Sequence, residues 1–314
     1  MEKNIINLEP IEVKILTNLA KLIEISPSKY PKMFCIYAKQ LSKSVPDRIV
    51  KILKTFAKEG NHHGFILING LPKEKETLPP HILANIQAIL TKTMGEMIAY
   101  EAENRGKLFQ NIIPNKSMET SQVSVGSGVE LEIHTEQAFS KLRPDILCLG
   151  CVRGDINAVT YIFPINYIMA KMTSYERRLL RQPLWKIGID LSFKINNHEF
   201  IEGDIRGPIP IISGPDDNPV LVFDQDLMIG ITEEADELIK KIVRLYYKYR
   251  ISHNLTASEI IFVDNNRAVH GRSPFKPKYD ENDRFLIRCF CTFDYKKSDY
   301  ARFNDSRTVR AKYS

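Results

Sequence analysis

Three side chains far apart in the sequence have the types and spacing to hold one metal ion. His134-Thr135-Glu136 follows the alternating run Val129-Glu130-Leu131-Glu132-Ile133. In a strand, residues i and i+2 share a face about 6.5–7 Å apart, so this imidazole and carboxylate could converge on an ion. Taken alone, the tripeptide fits a solvated His and Glu just as well. The second piece is Phe262-Val263-Asp264-Asn265-Asn266-Arg267-Ala268-Val269-His270-Gly271-Arg272, an apolar strand passing through a polar turn to a histidine. His270 would complete two histidines and one carboxylate. Such a facial set leaves three positions open on iron(II) for a bidentate ligand and dioxygen. As an isolated residue, His270 could equally be a turn histidine bonded to backbone. The third piece is Arg284-Phe285-Leu286-Ile287-Arg288-Cys289-Phe290, in which Arg284, Leu286 and Arg288 would share one strand face. Arginines in an apolar strand are costly to bury without anions, and a guanidinium receives a carboxylate as an oriented fork. Two of them fit a site for two carboxylates, one from each of two ligands. A pair of structural salt bridges on a strand edge is the plainer alternative.

The elements that must position these residues change character along the chain. The first third reads as helical. Pro10 opens an apolar face at helical spacing (Val13, Ile15, Leu16, Leu19, Ala20, Leu22), and Tyr30 to Leu41, Val45 to Glu59 and His81 to Glu103 continue the pattern, interrupted by a short buried strand within Gly64 to Gly70. From about Gln122, short strands dominate: Leu147 to Val152, Val159 to Phe163, Trp185 to Phe193, Val220 to Phe223, Ile260 to Val263 and Arg284 to Phe293. Helices are expected over Asn166 to Arg181 and Glu233 to Tyr249, the latter with acidic residues in its first turn to suit the helix dipole. Many short strands behind initial helices predict an α+β, mainly β chain with a jelly-roll (double-stranded β-helix) core and N-terminal and inserted helices. One domain over 1–314 is expected: a helical part to about 110, a core over about 111–295 and a tail over 296–314.

Together, His134-Thr135-Glu136, the segment from Asp264 to Arg272 and the two later arginines resemble the clavaminate synthase-like branch of the iron(II)/2-oxoglutarate-dependent oxygenases, and in particular the hydroxylases of free arginine, asparagine and lysine. The resemblance covers about Gln110 to Phe293. It implies that His134, Glu136 and His270 hold iron(II), with 2-oxoglutarate and O2 as cosubstrates. Arg284 and Thr160 would bind the distal carboxylate of 2-oxoglutarate. Arg288 would receive the α-carboxylate of the amino acid, and Gln110, Ser124 and Glu136 would contact its backbone groups. Asp224 and Asp226, after the strand Pro219 to Phe223, match a substrate-contacting position. Two such carboxylates in a pocket repel unless a cation lies between them, which favours a basic side chain; on a loop, the same pair often caps a turn. Relatives that halogenate replace the metal-binding carboxylate by a small residue. This chain keeps Glu136, so the resemblance implies hydroxylation. L-Lysine, with hydroxylation at carbon 4, is the expected substrate; L-arginine or L-asparagine 3-hydroxylation is the alternative.

Composition narrows the other classes. With 43% apolar residues the chain can build a proper core, and a formal charge of +6 is no nucleic-acid signature by itself. The basic residues Lys296, Lys297, Arg302, Arg307, Arg310 and Lys312 read as a solvated tail or a lid over the site. The start of the sequence lacks the pattern of a secretory signal and no apolar run is long enough to span a bilayer, so a soluble, cytoplasmic protein without membrane or nucleic-acid partners is expected. Its oligomeric state stays open, a homo-oligomer included. Cys148-x-x-Cys151 and Cys289-x-Cys291 could suggest zinc, but both pairs lie in strand-like apolar runs where Cys148 and Cys151 would face opposite ways. A non-catalytic jelly-roll binding protein would need none of the three metal-ligand residues. A peptide- or carrier-bound substrate would lack the free α-carboxylate that Arg288 suits.

Overall fold

Most of the alternating stretches resolve into strands of two facing sheets with helices on both outer sides, and the rest form a two-stranded and a three-stranded sheet. The computed structural model describes residues 4–73, 79–189, 205–303 and 306–313. The first part contains β1 (Ile5–Asn7), α1 (Pro10–Lys21), α2 (Pro31–Ser42), α3 (Asp47–Glu59), β2 (Phe65–Asn69), α4 (Pro80–Met94), β3 (Glu96–Tyr100) and β4 (Gln110–Ile112). Next come β5 (Leu131–His134), β6 (Ile146–Arg153), β7 (Thr160–Pro164), α5 (Ile165–Lys171), α6 (Ser174–Leu180), β8 (Trp185–Gly188), β9 (Ile205–Ile209), β10 (Ile212–Ser213), β11 (Val220–Leu221) and β12 (Met228–Gly230). The remainder is α7 (Glu233–Tyr249), β13 (Ile251–His253), β14 (Ile260–Asp264), β15 (Ala268–Arg272), β16 (Phe285–Thr292) and β17 (Thr308–Val309).

The larger sheet has the order β1-β2-β14-β6-β16-β3-β17, with β4 also pairing β16; the smaller has the order β13-β7-β15-β5. Side-chain alternation assigns the faces. On β6, Ile146, Cys148 and Val152 pack toward α1–α4, while Leu147, Leu149 and Cys151 join the core between the sheets. On β16, Ile287, Cys289 and Cys291 face the helices and Leu286 and Phe290 face inward. Arg284 and Arg288 follow the inward parity. Behind the smaller sheet, α5, α6 and α7 pack with β8 and β12 around Trp185, Phe163 and Phe223. Helix α7 starts where the Thr232 hydroxyl accepts the Ala235 N–H at 3.2 Å, with Glu233, Glu234 and Asp236 in its first turn.

The architecture is thus mixed α and β, as expected, with local corrections. The helix expected over His81 to Glu103 stops at Met94. A Cβ on Gly95 would lie 2.5 Å from the Thr292 carbonyl oxygen, so the chain passes β16 in close contact and Glu96–Tyr100 pairs with it as β3. Tertiary pairing overrides local propensity there. Asn166 to Arg181 is two helices, because the backbone is extended at Met172 and Thr173 begins a new capping box with Glu176. Of the strand expected over Trp185 to Phe193, β8 ends at Gly188 and the residues beyond 189 lie outside those described. The basic tail is neither a solvated arm nor a lid. β17 pairs with β3, Ala301 and Val309 are buried, Arg307 pairs with Glu96, and Arg302 with Asp299. Among the described residues no helix is long and apolar enough to cross a membrane.

All five cysteines are buried free thiols. Burial pushes the Cys151 thiol up to about 12, and Cys148 and Cys151 point to opposite sides of the larger sheet. Neither condition suits a zinc thiolate. Replacing Cys148 and Cys151 together by alanine is expected to leave the metal content of the purified protein unchanged in elemental analysis; loss of a metal equivalent would reinstate a thiolate site.

Candidate active site

Strand pairing brings the two histidines together. β5 and β15 run antiparallel with His134 directly opposite His270, and their rings lie 4.5 Å apart between centroids. A bulge follows, placing Arg272 opposite Leu131. Gly271 makes this approach feasible, since a Cβ there would sit 2.6 Å from the Leu131 carbonyl oxygen. Glu136, just past β5, brings its Oε1 to 3.2 Å from His270 Nε2. His134, Glu136 and His270 offer ligand atoms all within 4.8 Å of one another, a grouping of His, Cys, Asp and Glu found nowhere else among the described residues.

Hydrogen bonds orient His134 and the main chain of Glu136, while His270 Nδ1 is buried without a partner among the described residues. His134 Nδ1 donates to the Glu132 carbonyl at 2.8 Å, which leaves Nε2 with its lone pair for an ion. Asn265 fixes the backbone of Glu136: its Oδ1 accepts the Glu136 N–H at 2.7 Å, and its Nδ2 donates to the carbonyls of Glu136 at 3.1 Å and Pro144 at 2.7 Å. Burial favours neutral His270, and His134 adds to that effect against the opposing pull of Glu136. For Glu136, burial works to raise its carboxyl, but Arg288, His270 and His134 together hold it well below the ordinary range. Two imidazoles beside an ionised carboxylate form a donor set that fits a divalent transition metal.

Two cavities meet at this cluster. The larger, of about 190 Å³, is bounded by Glu103, Gln110, Glu132, Asp224 and Asp226 as well as apolar side chains such as Val123 and Phe139. The smaller, of about 50 Å³, ends at Thr160, Arg272 and Arg284. His134, Glu136, Ser124, Leu131 and Arg288 line both. In the smaller cavity, the Thr160 hydroxyl is buried without a partner, and the Arg284 side chain makes no hydrogen bond or salt bridge among the described residues. Burial lowers Arg284 to about 10. A buried cation and an unpaired hydroxyl in one pocket suit a carboxylate. Arg272, lowered to about 9 by burial and by neighbouring Arg284, instead donates to the carbonyls of Gly126, Val129 and Ser273.

Every residue singled out from the sequence therefore lines one of the two cavities. Some are already engaged. Arg288 contacts Glu136 at 3.2 Å, Glu103 at 2.6 Å and Gln110, its register partner on β4. Asp224 Oδ1 accepts the N–H groups of Asp226 at 3.0 Å and Leu227 at 2.9 Å, so it also serves as the turn cap considered above. Sequence reasoning missed Glu103, Glu132, Asn265 and Arg272. Arg272 was legible as a residue two beyond His270 on the same strand face, and Glu132 likewise as two before His134. Glu103 carried no signal, being assigned to a helix that ends well before it.

Comparison with known proteins supplies the class. The family model described as Taurine catabolism dioxygenase TauD, TfdA family matches residues 214–290. An L-lysine 3-hydroxylase from Catenulispora acidiphila is 43% identical over 96% of this chain and 88% of its own length. The chain belongs to the clavaminate synthase-like iron(II)/2-oxoglutarate-dependent oxygenases. It is thus a dioxygenase of a family that uses iron(II) and 2-oxoglutarate, among relatives that hydroxylate free amino acids. An L-lysine 4-hydroxylase from Flavobacterium johnsoniae is 24% identical over 91% of this chain and 82% of its own length. In fold, the chain matches an asparagine oxygenase solved with Fe(II), (2S,3S)-3-hydroxyasparagine and succinate, with a TM-score of 0.90 and 24% identity over 98% of this chain and 99% of that one.

Asn265→Ala would strand the Glu136 N–H and the Pro144 carbonyl in a dry interior. Stability is expected to fall by about 1–3 kcal/mol in urea denaturation, and metal affinity by about tenfold or more in titration. An unchanged metal affinity would show that Asn265 does not position Glu136.

Proposed function

We propose that this oxygenase hydroxylates free L-lysine, and that the two cavities meeting at His134, Glu136 and His270 are its two ligand sites. That junction is the observation supporting the reading. A facial set of two imidazoles and one carboxylate leaves open metal positions toward both cavities. In this reading His134, Glu136 and His270 hold iron(II). Arg284 and Thr160 take the distal carboxylate of 2-oxoglutarate in the smaller cavity, and the field of Arg272 adds to theirs. The amino acid occupies the larger cavity, with its α-carboxylate on Arg288 and its other backbone groups near Gln110, Ser124 and Glu136. When bound, iron(II), 2-oxoglutarate and O2 supply the oxidant that converts a C–H bond to C–OH, with succinate and CO2 released. The residues decide which C–H bond lies beside the metal.

The larger cavity is also lined by Asp224, Asp226 and Glu132. Burial raises the Glu132 carboxyl, and Asp226 and Glu130 raise it further. A substrate ammonium beside these carboxylates would relieve that repulsion, which supports a basic side chain over a neutral amide. Carbon 4 was the position expected from the sequence. The 43% relative is named for position 3 and the 4-hydroxylase relatives stand at 23–24%, so the reading here moves to carbon 3. The chain is further read as one jelly-roll catalytic domain, its two facing sheets being the two walls of the roll.

Incubation of each free amino acid with enzyme, iron(II), ascorbate and 2-oxoglutarate is expected to give a one-oxygen mass gain with lysine, located at carbon 3 by NMR. A greater yield with arginine or asparagine would overturn the lysine assignment. His270→Ala is expected to abolish both hydroxylation and tight metal binding. Arg288→Ala is expected to abolish hydroxylation while uncoupled 2-oxoglutarate consumption persists; equal loss of both would remove Arg288 from the substrate site.

A further inference from the structure

The carboxylate proposed to bind the metal has a competitor. Arg288 Nη1 lies 3.3 and 3.2 Å from the two oxygens of Glu136, so one guanidinium edge faces both of them. A guanidinium and a metal ion would draw on the same lone pairs. The remainder of Arg288 is held from the opposite side. Its Nη2 contacts Glu103 Oε2 at 2.6 Å, and its Nε donates to Gln110 Oε1 at 3.1 Å. Glu103 is itself buried and accepts from Gln137 Nε2 at 3.3 Å. Gln110 Oε1 accepts from Nη2 as well, and of the two carboxylates Glu103 makes the shorter contact and Glu136 the longer ones.

We propose that Glu103 is a positioning residue that holds Arg288 off Glu136, keeping the Glu136 carboxylate available to the metal and the guanidinium aimed at the substrate carboxylate. The inference rests on the reading of Glu136 as a metal ligand. Two anions flank one buried cation. If Glu103 loses its charge, Glu136 becomes the nearest full negative charge to Arg288 among the described residues, and the loose contact closes into a two-bond fork. The metal then competes with a guanidinium for its own ligand. Glu103 touches neither metal nor reacting atoms in this account; it acts wholly through Arg288.

The experiment is a double-mutant cycle read by metal binding. The metal-free full-length protein, as wild type, E103Q, R288A and E103Q/R288A, is titrated with Co(II), with binding followed by visible absorption. E103Q preserves shape and removes charge. It is expected to weaken Co(II) binding about tenfold, in the range for residues that support metal ligands, and to raise KM for the amino acid more than it lowers kcat. In the R288A background the same substitution is expected to leave Co(II) affinity unchanged, because the competing guanidinium is gone. E103D, which retains the charge, is expected to restore part of the affinity. Equal weakening by E103Q in both backgrounds, or none in either, overturns the proposal. A wild-type protein whose Co(II) binding is insensitive to His270→Ala would instead overturn the metal-site reading on which it stands.

Discussion

The site depends on one register: His134 opposite His270 across the β5–β15 pair. Side chains alternate along a strand, so a slip by one residue would turn either imidazole to the other face of the sheet. The bulge and Gly271 beyond the pair let the backbones approach closely. Everything else in the metal cluster is arranged around that contact. Glu136 reaches the cluster because Asn265, in the turn between β14 and β15, holds its main chain. The loop before β5 is tied to β15 through Arg272.

The second constraint is charge. The two inward-facing arginines near β16 sit in different environments for different tasks. Arg284 is buried in the smaller cavity without an ion-pair partner among the described residues, a costly arrangement that an incoming carboxylate would relieve. Arg288 lies among Glu103, Glu136 and Gln110, and is therefore a stable part of the protein in its own right. The sheets supply rigid placement, and the uneven pairing of the two guanidiniums distinguishes an anion socket from a charge network.

Much of this was legible because it depended on short-range periodicity. The i, i+2 spacing of His134 and Glu136, the shared face of Arg284, Leu286 and Arg288, the opposed faces of Cys148 and Cys151, and α7 with its acidic first turn are all direct consequences of strand or helix geometry. The resemblance carried by those residues then joined His270 to the set. Less legible were features decided by distant partners. Residues Glu96–Tyr100 looked like the continuation of α4 and became a strand because β16 lies alongside. The basic tail looked solvated because its neighbours, β3 and Glu96, are remote in sequence. Glu103 was invisible for the same reason, and Asn265 read only as a turn residue until its partners could be seen.

Among the described residues, β5 is an outermost strand of its sheet, paired with β15 on one side and otherwise met by short contacts from Phe223 to Gln225 and from the Gln122 side chain. Border strands of this kind open at lower free-energy cost than central ones. A metal ion held by one residue of β5 and one of β15 would staple that border shut. Local fraying and metal release would then be two descriptions of a single equilibrium, linked by mass action.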